Sequence, residues 1–133
     1  MLNEIEKKFG KNLLLGLGDW SINTSHQMKG CMSSLNKGIS KLLMKRFEVI
    51  SVDEYKTNKI YNKNMTDELT NVKIKKGKKN KSIHALLTPK RNPNGVILNR
   101  DINASKNILS IMKEFLNTQK RIPIFSRLVK TND

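Results

Sequence analysis

The feature that most constrains the fold is a strand–helix–strand pattern within residues 13–55. A short apolar run over 13–19 is interrupted by glycines and ends at Asp19, which is typical of a buried strand with a closely approached backbone. The next segment, 35–47, places apolar residues at helical spacing: Leu35, Ile39, Leu42, Leu43 and Phe47. A β-branched segment over 48–55 follows it. This order favours two parallel strands covered by a helix, so the sequence predicts an α/β fold.

The rest of the chain has a weaker pattern. Residues 56–98 predict loops, and the run at 73–81 holds six lysines in nine residues, which repel one another and indicate a mobile loop tip. Short helical spacing occurs at 2–9, and a longer helix is predicted from residue 99, with Asp101 or Asn103 as its N-cap. Its apolar stripe is Ile102, Ile108, Leu109, Met112, Phe115 and Leu116. The tail, 118–133, has no clear period and should be loose at its end.

The charge points to a polyanionic partner. The 133 residues contain 26 Lys and Arg against 11 Asp and Glu, a formal net charge of +15. A field this positive attracts nucleic acid, and a basic domain of this kind is expected to bind it. The alternative is a solvated surface whose lysines reflect AT-rich coding DNA.

Other function classes are excluded by composition. Cys31 is the single cysteine, so the chain has no internal disulfide and no multi-cysteine zinc site. No apolar run reaches the roughly 18 residues of a membrane span. Glu4 and Glu6 are atypical of a signal peptide. We therefore expect an intracellular protein with no membrane partner.

Three carboxylates stand at chemically useful places. Asp19 closes the first predicted strand, Glu54 closes the second, and Asp101 opens the last helix. The carboxyl ends of strands in an open α/β sheet border one crevice, where clustered carboxylates would suit Mg²⁺. Simpler interpretations remain open: Asp101 as an N-cap, and Glu54 and Asp19 as turn residues.

Three segments resemble one family in order. Residues 52–59, VDEYKTNK, resemble the V-D-E-F/Y-R-T-S-K motif of the Fanzor group, the eukaryotic and viral relatives of the TnpB transposon nucleases. Residues 99–109, NRDINASKNIL, resemble the N-R-D-x-N-A-x-x-N-I-L motif at the end of that family's RuvC-like domain, and residues 18–21, GDWS, are similar to an upstream segment. The resemblance covers about residues 13–112.

The resemblance implies a fold, a chemistry and a set of residues. It implies a partial RuvC-like fold of RNase H type, in which acidic residues bind Mg²⁺ to cut DNA under RNA guidance. Matched to its motifs, Glu54 and Asp101 are expected as catalytic residues and metal ligands, with Asp19 in a secondary catalytic role. We expect nucleic-acid contacts at Arg100 and at a set of lysines: Lys56, Lys73, Lys75, Lys76, Lys78, Lys79 and Lys81.

The sequence also departs from this family. The first catalytic aspartate would lie on an upstream strand, and nothing before Leu13 supplies it. The family's zinc ribbon would place its first Cys pair at Tyr61 and Asn64, and no cysteine follows there. His84 cannot replace four ligands, so no zinc is expected. The insertion should then be irregular and held by a few apolar residues: Ile83, Leu86, Leu87, Val96 and Ile97.

These expectations give a domain plan and a function. The plan is a partial RuvC-like β-α-β segment over 1–56, a basic and loop-rich degenerate zinc ribbon over 57–98, a RuvC-like helix over 99–117 and a tail over 118–133. We expect a truncated nuclease that is inactive alone, binds Mg²⁺ weakly and retains non-specific binding of DNA and of guide-like RNA. A separate chain could supply the missing half, in a nucleus, viral factory or virion. The alternative is a basic nucleic-acid-binding or assembly protein repurposed from this scaffold.

Overall fold

The structure is a computed structural model that describes residues 1–19 and 34–127. The helices are α1 (Leu2–Phe9), α2 (Ser34–Met44) and α3 (Arg100–Thr118). The strands are β1 (Leu14–Asp19), β2 (Glu48–Asp53), β3 (Leu69–Lys76), β4 (Lys79–Pro89) and β5 (Leu98–Asn99). The predicted α/β class is confirmed. The chain divides into an N-terminal unit, Met1–Asp53, and a C-terminal unit, Glu54–Asp133.

The N-terminal unit contains the predicted strand–helix–strand arrangement. β1 and β2 pair in parallel, from Leu14 opposite Glu48 to Asp19 opposite Asp53, and α2 lies between them in sequence. Parallel strands require a crossover connection of this kind, because a tight turn reverses the chain once and so joins only antiparallel strands. The predicted parallel pair and its connecting helix are therefore confirmed.

The apolar stripe of α2 is only partly buried. Leu43 and Phe47 are each 6% exposed, whereas Ile39 and Leu42 are 43% and 39% exposed. Phe47 lies beyond the end of the helix, where its N–H donates to the Leu43 carbonyl at 3.0 Å. The prediction that the helix extends to residue 47 is wrong, since the chain turns there to start β2. The side chain of Leu35 lies outside the described residues.

The C-terminal unit corrects the expectation of an irregular insertion. β3 and β4 form a long antiparallel hairpin, with β5 on the other side of β4. Its turn is Gly77–Lys78, and Gly77 has φ 65, the left-handed region that two-residue hairpin turns require. Lysines at alternating strand positions hide the period-two pattern, because they replace the apolar residues by which strands are recognised.

The hairpin contains a bulge in β4, the strand that pairs with both β3 and β5. Asn71 pairs with Leu87, but Val72 pairs with Ile83, so residues 84–86 of β4 are not opposed by β3. The Asn71 Nδ2 group spans the gap by donating to the carbonyls of Ile83 and His84, both at 3.2 Å. The strand then pairs with β5 through Leu86 and Leu87.

The core of the C-terminal unit differs from the expected one. Val96 and Ile97, expected to hold the insertion, are 48% and 61% exposed. The buried apolar side chains are Ile60, Leu69, Leu87, Ile111, Met112 and Phe125. Phe125 is fully buried and ends the 3₁₀ turn Pro123–Phe125, so the first half of the predicted tail is packed. Residues 128–133 lie outside the described part.

Helix α3 is present as predicted, but its cap and its buried face are different. The Asn99 Oδ1 atom accepts from the backbone N–H groups of Asp101 and Ile102 at 3.0 and 3.1 Å, so Asn99 is the N-cap, not Asp101 or Asn103. Two asparagines are buried, and four members of the predicted stripe are 45–57% exposed: Ile102, Leu109, Phe115 and Leu116. In the described ranges, no helix is long and apolar enough to cross a membrane.

Candidate nucleic-acid interface

Most of the expected nucleic-acid-binding lysines lie on the β3–β4 hairpin of the C-terminal unit. We call residues 73–82 the lysine hairpin. Its cross-strand pairs are Lys73–Ser82, Ile74–Lys81, Lys75–Asn80 and Lys76–Lys79. Every residue of this hairpin is exposed. Within residues 1–19 and 34–127, none of its six lysines takes part in an ion pair.

The strand pairing distributes these cations over both faces of the hairpin. Opposite residues of an antiparallel pair lie on the same face, and successive residues alternate between faces. One face therefore carries Lys73 and Lys75. The other carries Lys76, Lys79 and Lys81, and the remaining lysine, at 78, is in the turn. A pair of like charges directly opposite each other, as Lys76 and Lys79 are, destabilises a sheet.

Lys56 lies elsewhere in the unit and packs against an aromatic ring. Its Nζ atom is 5.4 Å from the centre of the Tyr55 ring, and the guanidinium carbon of Arg127 is 5.0 Å from the same ring. Lys56 also has φ 60, an unusual conformation for a residue with a side chain. These contacts place two cations around Tyr55, in the turn that follows β2.

That turn also contains Glu54, and hydrogen bonds connect it to α3. Asn103 and Asn107 of α3 donate to the carbonyls of Thr57 and Ile60 in the turn, and we call these four residues the asparagine clamp. Asn103 Nδ2 donates to these two carbonyls at 3.2 and 2.8 Å, and Asn107 Nδ2 donates to them at 2.7 and 2.9 Å. Asn103 Oδ1 accepts from the Asn62 N–H at 3.0 Å. The backbone N–H and hydroxyl of Thr57 both donate to the Glu54 carbonyl, at 3.0 and 2.9 Å.

The clamp lies in the interior. Asn103 and Asn107 are 1% and 0% exposed, and Thr57 is 2% exposed. Buried carbonyls without donors cost about 1–3 kcal/mol each, so the clamp offsets the burial of this turn. Asn107 Oδ1 is itself buried without a partner in the described part of the chain. This role was not predicted, although the i, i+4 spacing of the two asparagines on the face of Ile111 is a signal for it.

The three candidate catalytic carboxylates are divided between the two units. Glu54 is half-buried and follows β2. Asp101 is exposed in the first turn of α3, where a carboxylate stabilises the positive end of the helix dipole. Asp19 ends β1 in the N-terminal unit, and its side chain lies outside the described residues.

Glu54 and Asp101 do not belong to a complete metal site among the side chains that the structure describes. Carboxylate oxygens are suitable ligands for Mg²⁺. However, among the side chains that the structure describes, within residues 1–18 and 38–127, no three His, Cys, Asp or Glu residues are grouped so that they could hold a metal ion. The predicted zinc-ribbon position is a hydrogen-bonded turn instead, in which Asn64 Nδ2 donates to Asp67 Oδ2 at 3.0 Å and the Tyr61 N–H donates to the Asp67 carbonyl at 2.9 Å.

Arg100 contacts His84, for which the sequence predicts no role. Its Nη1 atom is 2.8 Å from Nδ1 and 2.7 Å from Nε2 of His84, across the bulge. Arginine can only donate, so the acceptor in this contact is a ring nitrogen of His84. No local pattern predicts this contact, because the residues are brought together by the pairing of β4 with β5.

An exposed ion pair lies on the same unit. Lys90 Nζ bonds Glu68 Oε2, and this bond, more than the attraction of the ammonium charge, lowers the pKa of Glu68. Arg91 Nε lies 3.5 Å from Asp67 Oδ1. Each of these cations already has an anionic partner, in contrast to the lysine hairpin.

Comparison with known proteins adds no family assignment. No protein-family model matches the chain, and no curated protein matches it.

Proposed function

We propose that this chain binds nucleic acid through the lysine hairpin, on a scaffold that corresponds to part of a RuvC-like nuclease domain of the TnpB and Fanzor type. The observation that carries the binding is the hairpin itself: exposed lysines on two faces, without ion pairs in the described ranges. Phosphates neutralise such charges and release counterions, which supplies sequence-independent affinity. The ligands are DNA and guide-like RNA.

The scaffold part of the proposal is supported by contacts between the two motifs. Thr57 belongs to the segment 52–59, and Asn103 and Asn107 belong to the segment 99–109. The asparagine clamp bonds these segments directly. The asparagines of the second motif thus have a physical reason for their spacing, and the turn after Glu54 is held to the helix that begins beside Asp101.

The chain is proposed to be inactive as a nuclease on its own. Phosphodiester hydrolysis with two metal ions needs both ions held in a fixed geometry. Glu54 and Asp101 supply carboxylates, but they are not part of a group of three ligands in the described ranges. Weak Mg²⁺ binding at these two residues is the most that the proposal assigns to them.

The test of binding is affinity as a function of salt. The chain should bind a labelled DNA, and the logarithm of its association constant should fall linearly with the logarithm of salt, with a slope of roughly 0.9 per phosphate contact. Replacing the lysines at 73, 75, 76, 78, 79 and 81 with glutamine should flatten this slope, whereas Glu54→Gln should leave it unchanged. Unchanged affinity after the lysine replacements would refute the proposal.

A second candidate is an enzyme that another chain completes with the missing aspartate. The link between Glu54 and α3 through the clamp favours it, because that link fixes one ligand's backbone near the helix of the other. Nicking of a supercoiled plasmid by the pure chain with Mg²⁺, abolished by Glu54→Ala and by Asp101→Ala, would establish catalysis and overturn our proposal of an inactive chain.

A third candidate is an assembly protein. The exposed stripe of Ile102, Leu109 and Leu116 on α3 favours a protein contact there. Co-purification of one defined protein at high salt, where phosphate contacts are screened, would support this candidate.

A further inference from the structure

The shape of the lysine hairpin specifies its ligand more closely than its charge does. It contains four cross-strand pairs, from Lys73–Ser82 to Lys76–Lys79, closed by the turn at Gly77. At 3.4 Å for each residue, these pairs extend for about 10 Å. All residues of this segment are exposed on both faces. The hairpin is therefore a two-stranded ribbon that extends into solvent by about the depth of a nucleic-acid groove, roughly 8.5 Å in B-form DNA.

The two charged faces require anions on both sides of the ribbon. Lys73 and Lys75 point away from one face, and the three lysines at 76, 79 and 81 point away from the other. A flat acidic surface, such as a protein patch or a membrane, neutralises only the face turned toward it. A duplex groove is bordered by the phosphates of both strands, so it neutralises both faces together.

Duplex DNA fits these features better than other nucleic acids. The major groove of B-form DNA is about 12 Å wide and admits a two-stranded ribbon, whereas the major groove of A-form RNA is too narrow for side chains to enter. Proteins that bind single strands stack bases on aromatic rings. Residues 69–89 contain no Phe, Tyr or Trp, so the hairpin offers no such ring.

We propose that the lysine hairpin enters the major groove of B-form duplex DNA and contacts the phosphates of both strands. The inference rests on the proposed nucleic-acid binding and adds to it the class of ligand and the groove. Bound phosphates also relieve the repulsion between Lys76 and Lys79, which remains in the free protein.

The experiment measures the affinity of the full chain for three probes by fluorescence anisotropy over a salt series. The probes are a 20-base-pair DNA duplex, an RNA duplex of the same sequence and one DNA strand of it. We expect the DNA duplex to bind at least about tenfold more tightly than either other probe, a difference of roughly 1.4 kcal/mol. Methyl green, which occupies the major groove, should displace the protein, and netropsin, which fills the minor groove, should not.

Two variants separate the faces. Lys73→Gln with Lys75→Gln should lower the salt slope by roughly 1.8, and the triple replacement at 76, 79 and 81 should lower it by roughly 2.7. A control triple replacement, Lys7→Gln with Lys8→Gln and Lys45→Gln, removes three exposed lysines of the N-terminal unit and should preserve the preference for the DNA duplex. Thermal unfolding of each variant reports whether the fold is intact.

The outcomes distinguish this inference from the function on which it rests. Equal affinity for all three probes, or a loss confined to one face, would refute groove entry and leave phosphate binding standing. Displacement by netropsin alone would place the contact in the minor groove and also refute it. If the protein binds none of the probes, or if neither hairpin variant changes the affinity, both proposals fail.

Discussion

The asparagine clamp and the lysine hairpin belong to the same unit but satisfy their polar groups in opposite ways. Asn103 and Asn107 are at most 1% exposed and together make five hydrogen bonds to residues of the turn at 57–62. The lysines of the hairpin are exposed and make no ion pair in the described ranges. Buried polar groups lose water on folding and must find partners, whereas exposed ones keep their water.

Because of this difference, we expect changes in the clamp to affect the stability of the fold and changes in the lysine hairpin to affect binding. Removing a buried partner leaves other groups without hydrogen bonds, so changes in the clamp should alter the free energy of unfolding. Changing a solvated lysine costs the folded state little. The hairpin can therefore carry repelling charges, because the rest of the unit is held by the clamp and by the apolar core.

The largest effect is expected from Asn103→Ala. This change removes one of the two asparagine donors at the Thr57 and Ile60 carbonyls and the acceptor of the Asn62 N–H. We expect a loss of about 2–4 kcal/mol in the free energy of unfolding, measured by urea denaturation.

The matched control is Asn80→Ala in the lysine hairpin, where the same side chain is exposed. It should change the free energy of unfolding by less than about 0.5 kcal/mol. Equal urea midpoints for the two variants would show that the clamp does not stabilise the unit, and the contrast between the two regions would then be lost.

Two glycine replacements are expected to change the free energy of unfolding by intermediate amounts and in opposite directions. Gly77 has φ 65 and no atom within 4 Å of an added Cβ, so Gly77→Ala meets backbone strain alone. It should destabilise the hairpin by about 1–2 kcal/mol. Hydrogen exchange of the β3 and β4 amides would show the opening directly.

Gly38 lies within α2 and also has no atom within 4 Å of an added Cβ. Gly38→Ala should stabilise the chain by about 0.5–1 kcal/mol, because alanine loses less backbone freedom in a helix. If both replacements shift the thermal midpoint in the same direction, the positive φ of Gly77 is not what shapes the turn.

The same physical difference explains which elements the sequence could predict. The parallel strands and α2 were predictable because their apolar residues recur with the periods of strands and helices. The hairpin was not, because its strands are solvated at the tip and hold lysines where apolar residues are usual. The buried face of α3 was predicted wrongly, because it contains Asn103 and Asn107. These side chains donate to backbone carbonyls more than 40 residues away in sequence, and a local pattern cannot reveal such partners.

The candidate site divides along similar lines. The lysines at 73–81 were recognisable from charge density alone, but their placement on two faces depends on strand register. Asp101 was recognisable from its motif, yet its capping role belongs to Asn99. The contact of His84 with Arg100 could not be predicted, because it depends on the pairing of β4 with β5.

The smallest effect is expected from the exposed pair of Glu68 and Lys90. The hydrogen bond and the charge of Lys90 lower the pKa of Glu68 in the folded state. When the pKa of a carboxyl group is lower in the folded state than in the unfolded state, its ion pair stabilises the fold at pH values above the unfolded pKa. This stabilisation is lost as the pH falls through the folded pKa. Because Glu68 is exposed and salt screens the pair, Lys90→Gln should raise the pKa of Glu68, followed by NMR, while the thermal midpoint at neutral pH stays nearly unchanged. A large fall in that midpoint would contradict the difference proposed between buried and exposed polar groups, since an exposed contact would then stabilise the fold as the buried clamp does.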